Sequence, residues 1–246
     1  MYDNLKKKFG QNFLIDKNIL NKIINLIKKN DLRILEIGPG SGLLTDFILK
    51  KKPNKLTLIE IDKDLINLLE NKFKNFDFVK IINFDFLKID IQNKYDLIVS
   101  NLPYNISSQI LAKFCTINNK PDEMILMFQK EFADKLMEKK LNSLNALVNC
   151  FYKMQYEFRV SRNYFRPIPK IDSAVLSFRK IKKPLITELQ VQSFILFKRA
   201  IFSHKRKKIK SSIVLNKEIL NLEYLDKRPE DLSMNELLKL FFLSNL

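Results

Sequence analysis

The sequence predicts an α/β fold with a mostly parallel sheet and helices on both faces, followed by a small helical domain. Three observations predict it. From Asp16 to about Val148, short apolar runs alternate with amphipathic stretches, the pattern of strand–helix–strand units. The run Arg33–Ile37 opens into Gly38-Pro39-Gly40-Ser41-Gly42, which holds three of the chain's four glycines. So tight a concentration calls for backbone freedom or close ligand approach at that place. Lys182-Lys183-Pro184 then breaks the pattern and sets the expected domains at 1–182 and 183–246. A chain of 246 residues can bury a substantial core in one large and one small domain.

Taken in order, Asp16 caps a predicted helix through Lys29, with Ile19, Leu20, Ile23, Ile24 and Ile27 on its apolar face. Arg33–Ile37 is a strand, and Leu43, Leu44, Phe47, Ile48 and Leu49 follow the glycine loop at helical spacing. Strand, glycine loop and helix in that order mark a Rossmann-like nucleotide-binding unit. Lys55–Glu60 and Phe78–Ile82 are the next strands, and Tyr95–Ser100 is another short buried one. Met124–Phe128 reads as a strand running into a helix of Lys130–Glu138, and Ala174–Phe178 as a late antiparallel edge strand. Beyond the break the chain reads as helical. Thr187 with Gln190 and Ser233 with Glu236 have capping-box spacing, and Leu189, Phe194, Phe197 and Ile201 form a buried stripe.

The ligand can be narrowed from the loop. It lacks the Lys-Ser or Lys-Thr of a triphosphate loop. Its spacing is G-x-G-x-G with Pro39 inside, which disfavours a dinucleotide pyrophosphate. Glu60 lies 22 positions after Gly38, near the ~20 expected of a carboxylate that binds ribose hydroxyls. A hydride-transfer enzyme would want a proton donor such as His, and the one histidine, His204, sits in a distant basic run. A phosphate-free ligand with adenosine and a small charged group fits: S-adenosyl-L-methionine. Asp85, after the third of these strands, is either a turn aspartate or an acceptor for the cofactor's adenine amine.

Asn101-Leu102-Pro103-Tyr104 follows the Tyr95–Ser100 strand. The Asn101 side chain and the Leu102 carbonyl can both accept from an exocyclic amine. Pro103 stiffens the turn, and Tyr104 offers a flat face for the ring that carries the amine. That suits the presentation of adenine N6 to an electrophile. Such a target base must leave its stack, or lie unpaired, to reach the site.

Composition fits a nucleic-acid partner. Net charge is +17, the electrostatic footprint of a phosphate binder. Of 44 basic residues 36 are Lys and 8 are Arg, a bias typical of AT-rich coding, so clustering is the better guide. Lys6-Lys7-Lys8 stands near the start, and His204–Lys210 holds five cations in seven positions, among them Lys205, Arg206, Lys207 and Lys208. Cys115 and Cys150 lack metal spacing and read as free buried thiols of a reducing compartment. No metal site, membrane span or signal peptide is expected, and the predicted location is cytoplasmic.

Six ordered segments carry a family likeness: Gly10–Asp16, Glu36–Gly42, Glu60–Asp62, Asn101–Ser108, Gln129–Glu131 and Phe165–Val175. The set resembles the KsgA family of ribosomal RNA adenine dimethyltransferases over about residues 6–212. The similar large-subunit (Erm-type) enzymes share much of it, but Asn101–Ser108 and Pro169–Val175 look more like the small-subunit branch. The resemblance implies an S-adenosyl-L-methionine-dependent methyltransferase sheet. It also implies N6,N6-dimethylation of two adjacent adenosines in the 3′-terminal hairpin of small-subunit rRNA, with a role in small-subunit biogenesis. Asn12 and Leu14 would close over the cofactor, Gly38 would approach its methionine part, Glu60 would hold the ribose, and Asp85 the adenine. Asn101, Leu102 and Tyr104 would orient the target base, and the 183–246 domain would bind RNA. The implied partner is the small ribosomal subunit, met by a monomer. Phe165 reads as a core aromatic. Departures are Phe84 where Gly is common, Gln109 where Pro is common, and Lys205 where Arg is more usual.

Overall fold

The structure is a computed structural model and describes residues 12–204, 206–212 and 217–244. The Lys6–Lys8 run and Lys205 lie outside these. Strand β1 (Phe13–Leu14) is followed by helix α1 (Lys17–Asn25), whose first turn is capped by Asp16 accepting from the Ile19 N–H at 2.9 Å. Ile19, Leu20, Ile23 and Ile24 are its buried face. The helix stops short of Lys29: the Leu26 and Ile27 amides bond three residues back, to Ile23 and Ile24 at 3.1 and 3.0 Å, and tighten the end.

The central sheet is built from β2 (Arg33–Ile37), β3 (Lys55–Glu60), β4 (Val79–Asn83), β5 (Leu97–Asn101), β6 (Glu123–Gln129), β7 (Tyr152–Val160) and β9 (Ser173–Lys180); the small β8 (Phe165–Arg166) pairs with β1 instead. Between the strands run α2 (Leu43–Leu49), α3 (Lys63–Phe73), α4 (Ser107–Thr116), α5 (Lys130–Met137) and α6 (Ser143–Asn149). The order across the sheet is β4-β3-β2-β5-β6-β9-β7. Every neighbour pair from β4 to β6 is parallel, and β9 runs antiparallel to β6. This is the α/β architecture expected from sequence. One expectation is corrected: β9 is not an edge strand, because β7 lies outside it. Its inner residues Ala174, Val175, Leu176 and Phe178 are accordingly buried, as befits a strand covered on both sides.

The chain divides into two compact units. One runs up to Ala133 and adds Met154–Lys180; the other is Asp134–Lys153 with the residues from Ile181 onward. The second unit therefore takes in 134–153, a stretch that sequence placed with the large domain. The reason is helix packing between segments distant in sequence. α6 packs on α7 (Val191–Ser203), where the buried Lys198 donates through Nζ to the Ser143 carbonyl at 3.0 Å and to its hydroxyl at 3.1 Å. This unit also holds α8 (Lys217–Leu220) and α9 (Met234–Leu243), the latter capped reciprocally by Ser233 and Glu236. Phe194, Phe197 and Ile201 are fully buried, with the Phe194 and Phe241 rings edge-to-face at 5.1 Å. Leu189 is 93% exposed and leaves the predicted stripe: it sits in the 3-10 turn Glu188–Gln190, whose three-residue period turns it away from the α-helical face.

Candidate active site

The strand order reverses between β2 and β5, and open α/β sheets bind ligands outside the carboxyl ends of the strands at such a point. A cleft of about 710 Å³ of empty space, partly open to solvent, lies there, within the larger unit. The carboxyl ends of β2, β3, β4 and β5 bring Gly38, Glu60, Asp85 and Asn101 into its wall.

The β2 end is shaped by glycine. Gly38, Gly40 and Gly42 have φ of 63°, 60° and 72°, a region L side chains rarely adopt. Gly40 is also sterically required: a Cβ there would stand 2.3 Å from the Phe13 ring. Lys72 steadies the loop from α3, donating to the Ser41 and Gly42 carbonyls at 3.2 and 3.1 Å and to Asp46 at 2.6 Å.

Glu60 stands at the end of β3. Its Oε2 accepts from the Gly40 amide at 3.1 Å, and its Oε1 from the Ile61 and Asp62 amides at 2.9 and 3.0 Å. Burial raises its pKa, and these amides oppose the rise. Asp85 accepts from the Leu87 amide at 2.9 Å, so it is a turn aspartate, yet it also lines the cleft. Ile61 and Phe84 line the same space although they are 45% and 47% exposed, apolar surface suited to a planar ring.

At the end of β5 the Ser100 hydroxyl donates to the Ile37 carbonyl at 2.5 Å and ties the two strands of the switch point. The Asn101 Nδ2 donates to the Asn12 carbonyl at 2.9 Å. That bond fixes which way the amide faces and leaves its Oδ1 without a protein donor among the described residues. Leu102 is buried, while Tyr104 is half-buried with its hydroxyl 2.6 Å from the Ser173 Oγ.

Asn12, Gly38, Glu60, Asp85, Asn101, Leu102 and Tyr104 thus share one cleft. Leu14 does not line it: its side chain is in the core, beside a smaller adjoining hollow with Glu36 and Asn101. Phe165 is a fully buried core ring. Arg206, Lys207 and Lys208 lie exposed in the other unit, where Lys208 and Lys210 share Asp226 at 2.9 and 2.8 Å.

Two residues escaped sequence reasoning. Glu36, 1% exposed, accepts from the Thr45 hydroxyl at 2.7 Å, and burial pushes its carboxyl up to about 8. The signal was an acid inside the apolar run Ile34–Ile37. Ser173 gave none beyond its place in the Phe165–Val175 segment.

The cleft's electrostatics decide its chemistry. In a chain of net charge +17 its lining includes two carboxylates and no Lys, Arg or His among the described residues. Such a lining offers no cationic side chain to a phosphate and places its carboxylates where they attract a positively charged ligand.

Residues 2–240 match the family model described as ribosomal RNA adenine dimethylase. The chain belongs to this family. The chain is 38% identical to a Mycoplasma capricolum protein named ribosomal RNA small subunit methyltransferase A, over 97% of each chain. It superposes on a dimethyladenosine transferase from Plasmodium falciparum with TM-score 0.82 at 26% identity, covering 93% of this chain and 95% of that one. The 23S rRNA methyltransferase ErmE shares the fold, with TM-score 0.74 at 22% identity over 95% of this chain and all of that one. The chain is a methyltransferase that takes its methyl group from S-adenosyl-L-methionine, and the carboxylate-lined cleft fits that sulfonium cofactor. No helix among the described residues is long and apolar enough to cross a membrane.

Proposed function

We propose that this chain dimethylates N6 of two adjacent adenosines in the 3′-terminal hairpin of small-subunit rRNA, as a step in small-subunit biogenesis in the cytoplasm. The observation that carries the proposal is the pairing, in one cleft, of an acidic cofactor wall with the Asn101–Tyr104 turn. The small-subunit substrate is favoured by the relative that matches 97% of the chain; the ErmE likeness supports the fold alone.

Glu60 holds the cofactor's ribose, and Asp85, with Ile61 and Phe84, its adenine. Bound there, S-adenosyl-L-methionine supplies an electrophilic methyl group. The target N6 is a poor nucleophile because its lone pair is delocalised into the ring. Asn101 Oδ1 and the Leu102 carbonyl accept the amine hydrogens, draw N6 toward sp3 geometry and stabilise the positive charge that develops on it. Asn12 keeps the Asn101 amide facing the right way. Tyr104 stacks on the flipped base, worth about 1–3 kcal/mol. The unit containing the cleft is the catalytic domain, and the helical unit, with Arg206, Lys207 and Lys208 exposed, contacts rRNA phosphates. Strong like charge favours a monomer.

The test is methyl transfer from labelled cofactor to unmethylated small and large ribosomal subunits, with the product nucleoside mapped. N6,N6-dimethyladenosine in the small-subunit 3′ hairpin is expected. Label only in the large subunit would move the chain to the Erm-type reaction. Tight small-subunit binding with no label would make it an assembly factor.

A further inference from the structure

We propose that Ser173 is a positioning residue for methyl transfer, holding the Tyr104 ring in the attitude on which the target adenine stacks, and that this hold matters most for the second methyl. The inference rests on the function proposed above.

The Ser173 hydroxyl is 2.6 Å from the Tyr104 hydroxyl. Ser173 is 0% exposed, in a strand whose next three residues, Ala174, Val175 and Leu176, are buried and apolar. A hydroxyl in such surroundings is costly unless bonded, and Tyr104 is its one side-chain partner among the described residues. The anchor is rigid. Ser173 stands opposite Gln129 in the β6–β9 register. Its neighbour Asp172 takes the Arg159 guanidinium and the Arg162 amide, and gives its carbonyl to the Lys130 amide at 2.9 Å. Tyr104, by contrast, hangs half-buried from a turn after β5, and its ring has cleft on one side. Without the serine, nothing polar among the described residues fixes the ring's far end.

The two transfers do not lean on this ring equally. An unmodified adenine amine has two N–H groups for the two acceptors, Asn101 Oδ1 and the Leu102 carbonyl. The monomethyl product has only one. Its alignment on re-entry therefore depends more on stacking, and a loosened Tyr104 should penalise the second transfer beyond the first.

The experiment compares wild type, Ser173→Ala, Tyr104→Phe and the double variant on unmethylated small subunits, quantifying N6-methyl- and N6,N6-dimethyladenosine at matched turnover. In Ser173→Ala the second transfer is expected to slow about tenfold, the cost of one lost hydrogen bond in a site, with monomethyladenosine accumulating. The first transfer should slow less, and calorimetric affinity for S-adenosyl-L-methionine should not change. Tyr104→Phe deletes the same bond from the other side and should give the same product ratio. Ser173→Ala added to it should do nothing more. A wild-type product ratio in both single variants, or a full Ser173→Ala effect in the Tyr104→Phe background, would overturn the assignment. Failure of the wild type to dimethylate small subunits would instead remove the functional reading beneath it.

Discussion

Glu36 and Glu60 stand at the ends of adjacent strands, one on either side of the glycine loop, and both are nearly sealed from solvent. They differ in what donates to them. Glu60 collects three backbone amides and lines the cleft. Glu36 has the Thr45 hydroxyl as its side-chain hydrogen bond and lies beneath the loop. Burial raises both pKa values; for Glu36 the Thr45 hydroxyl and Lys72 oppose the rise, the Asp46 and Glu60 charges add to it, and the carboxyl is pushed up to about 8. The comparison teaches that burial alone does not set a carboxylate's role. Oriented peptide amides favour the charged form of Glu60, and without them Glu36 is a neutral acid at physiological pH.

Three substitutions test the contrast. The largest effect is expected from Glu60→Ala, which removes the proposed ribose acceptor and frees the Gly40 amide. Affinity for S-adenosyl-L-methionine, read by calorimetry, should fall roughly hundredfold, and an unchanged Kd would deny Glu60 its ligand role. Glu36→Gln comes next. A carboxyl whose folded pKa is raised to about 8 binds a proton that the unfolded chain releases above about 4.5. Its contribution is complete below that value and is lost as pH rises through about 8. Wild type should therefore lose on the order of a few kcal/mol of unfolding free energy between pH 5 and 8 that the Gln variant keeps. Parallel pH profiles from urea titrations would show Glu36 to be ionised in the folded protein. The smallest effect belongs to Thr45→Val, which strips Glu36 of its donor. A loss of about 1–3 kcal/mol at pH 6 is expected, and no loss would mean that a bound water replaces the hydroxyl.

Much of this was legible in the sequence, and the exceptions have physical causes. The glycine loop, the acid after the second strand of the sheet and the Asn101–Tyr104 turn are local patterns, and short loops at parallel strand ends bring them into one cleft. β7 carries only a partial signal, Tyr152, Met154, Tyr156, Phe158 and Val160 alternating at strand period with the middle three half-buried, and without it β9 reads as an edge strand. The inclusion of 134–153 in the helical unit reflects the packing of α6 on α7, Lys198 on Ser143 among its contacts, a pairing 55 positions apart that composition does not announce. Leu14 carries a site-like motif, yet burial made it core. Ser173 and Tyr104 are separated by 69 positions, and only the β5–β6–β9 pairing brings them together.

The strand beside Asn12 and the strand that pairs with it lie far apart along the chain. β1 pairs with β8, Phe13 against Arg166, and Asn12, just before β1, supplies the carbonyl that aims the Asn101 amide. During vectorial synthesis the cofactor wall can assemble from β2 to β5 well before Arg166 has emerged. The nascent domain is therefore able to fold a cofactor cleft while its methyl-transfer geometry is still incomplete. Such long-range closure is a slow step in folding, and it makes enzymatic competence a late property of the growing chain.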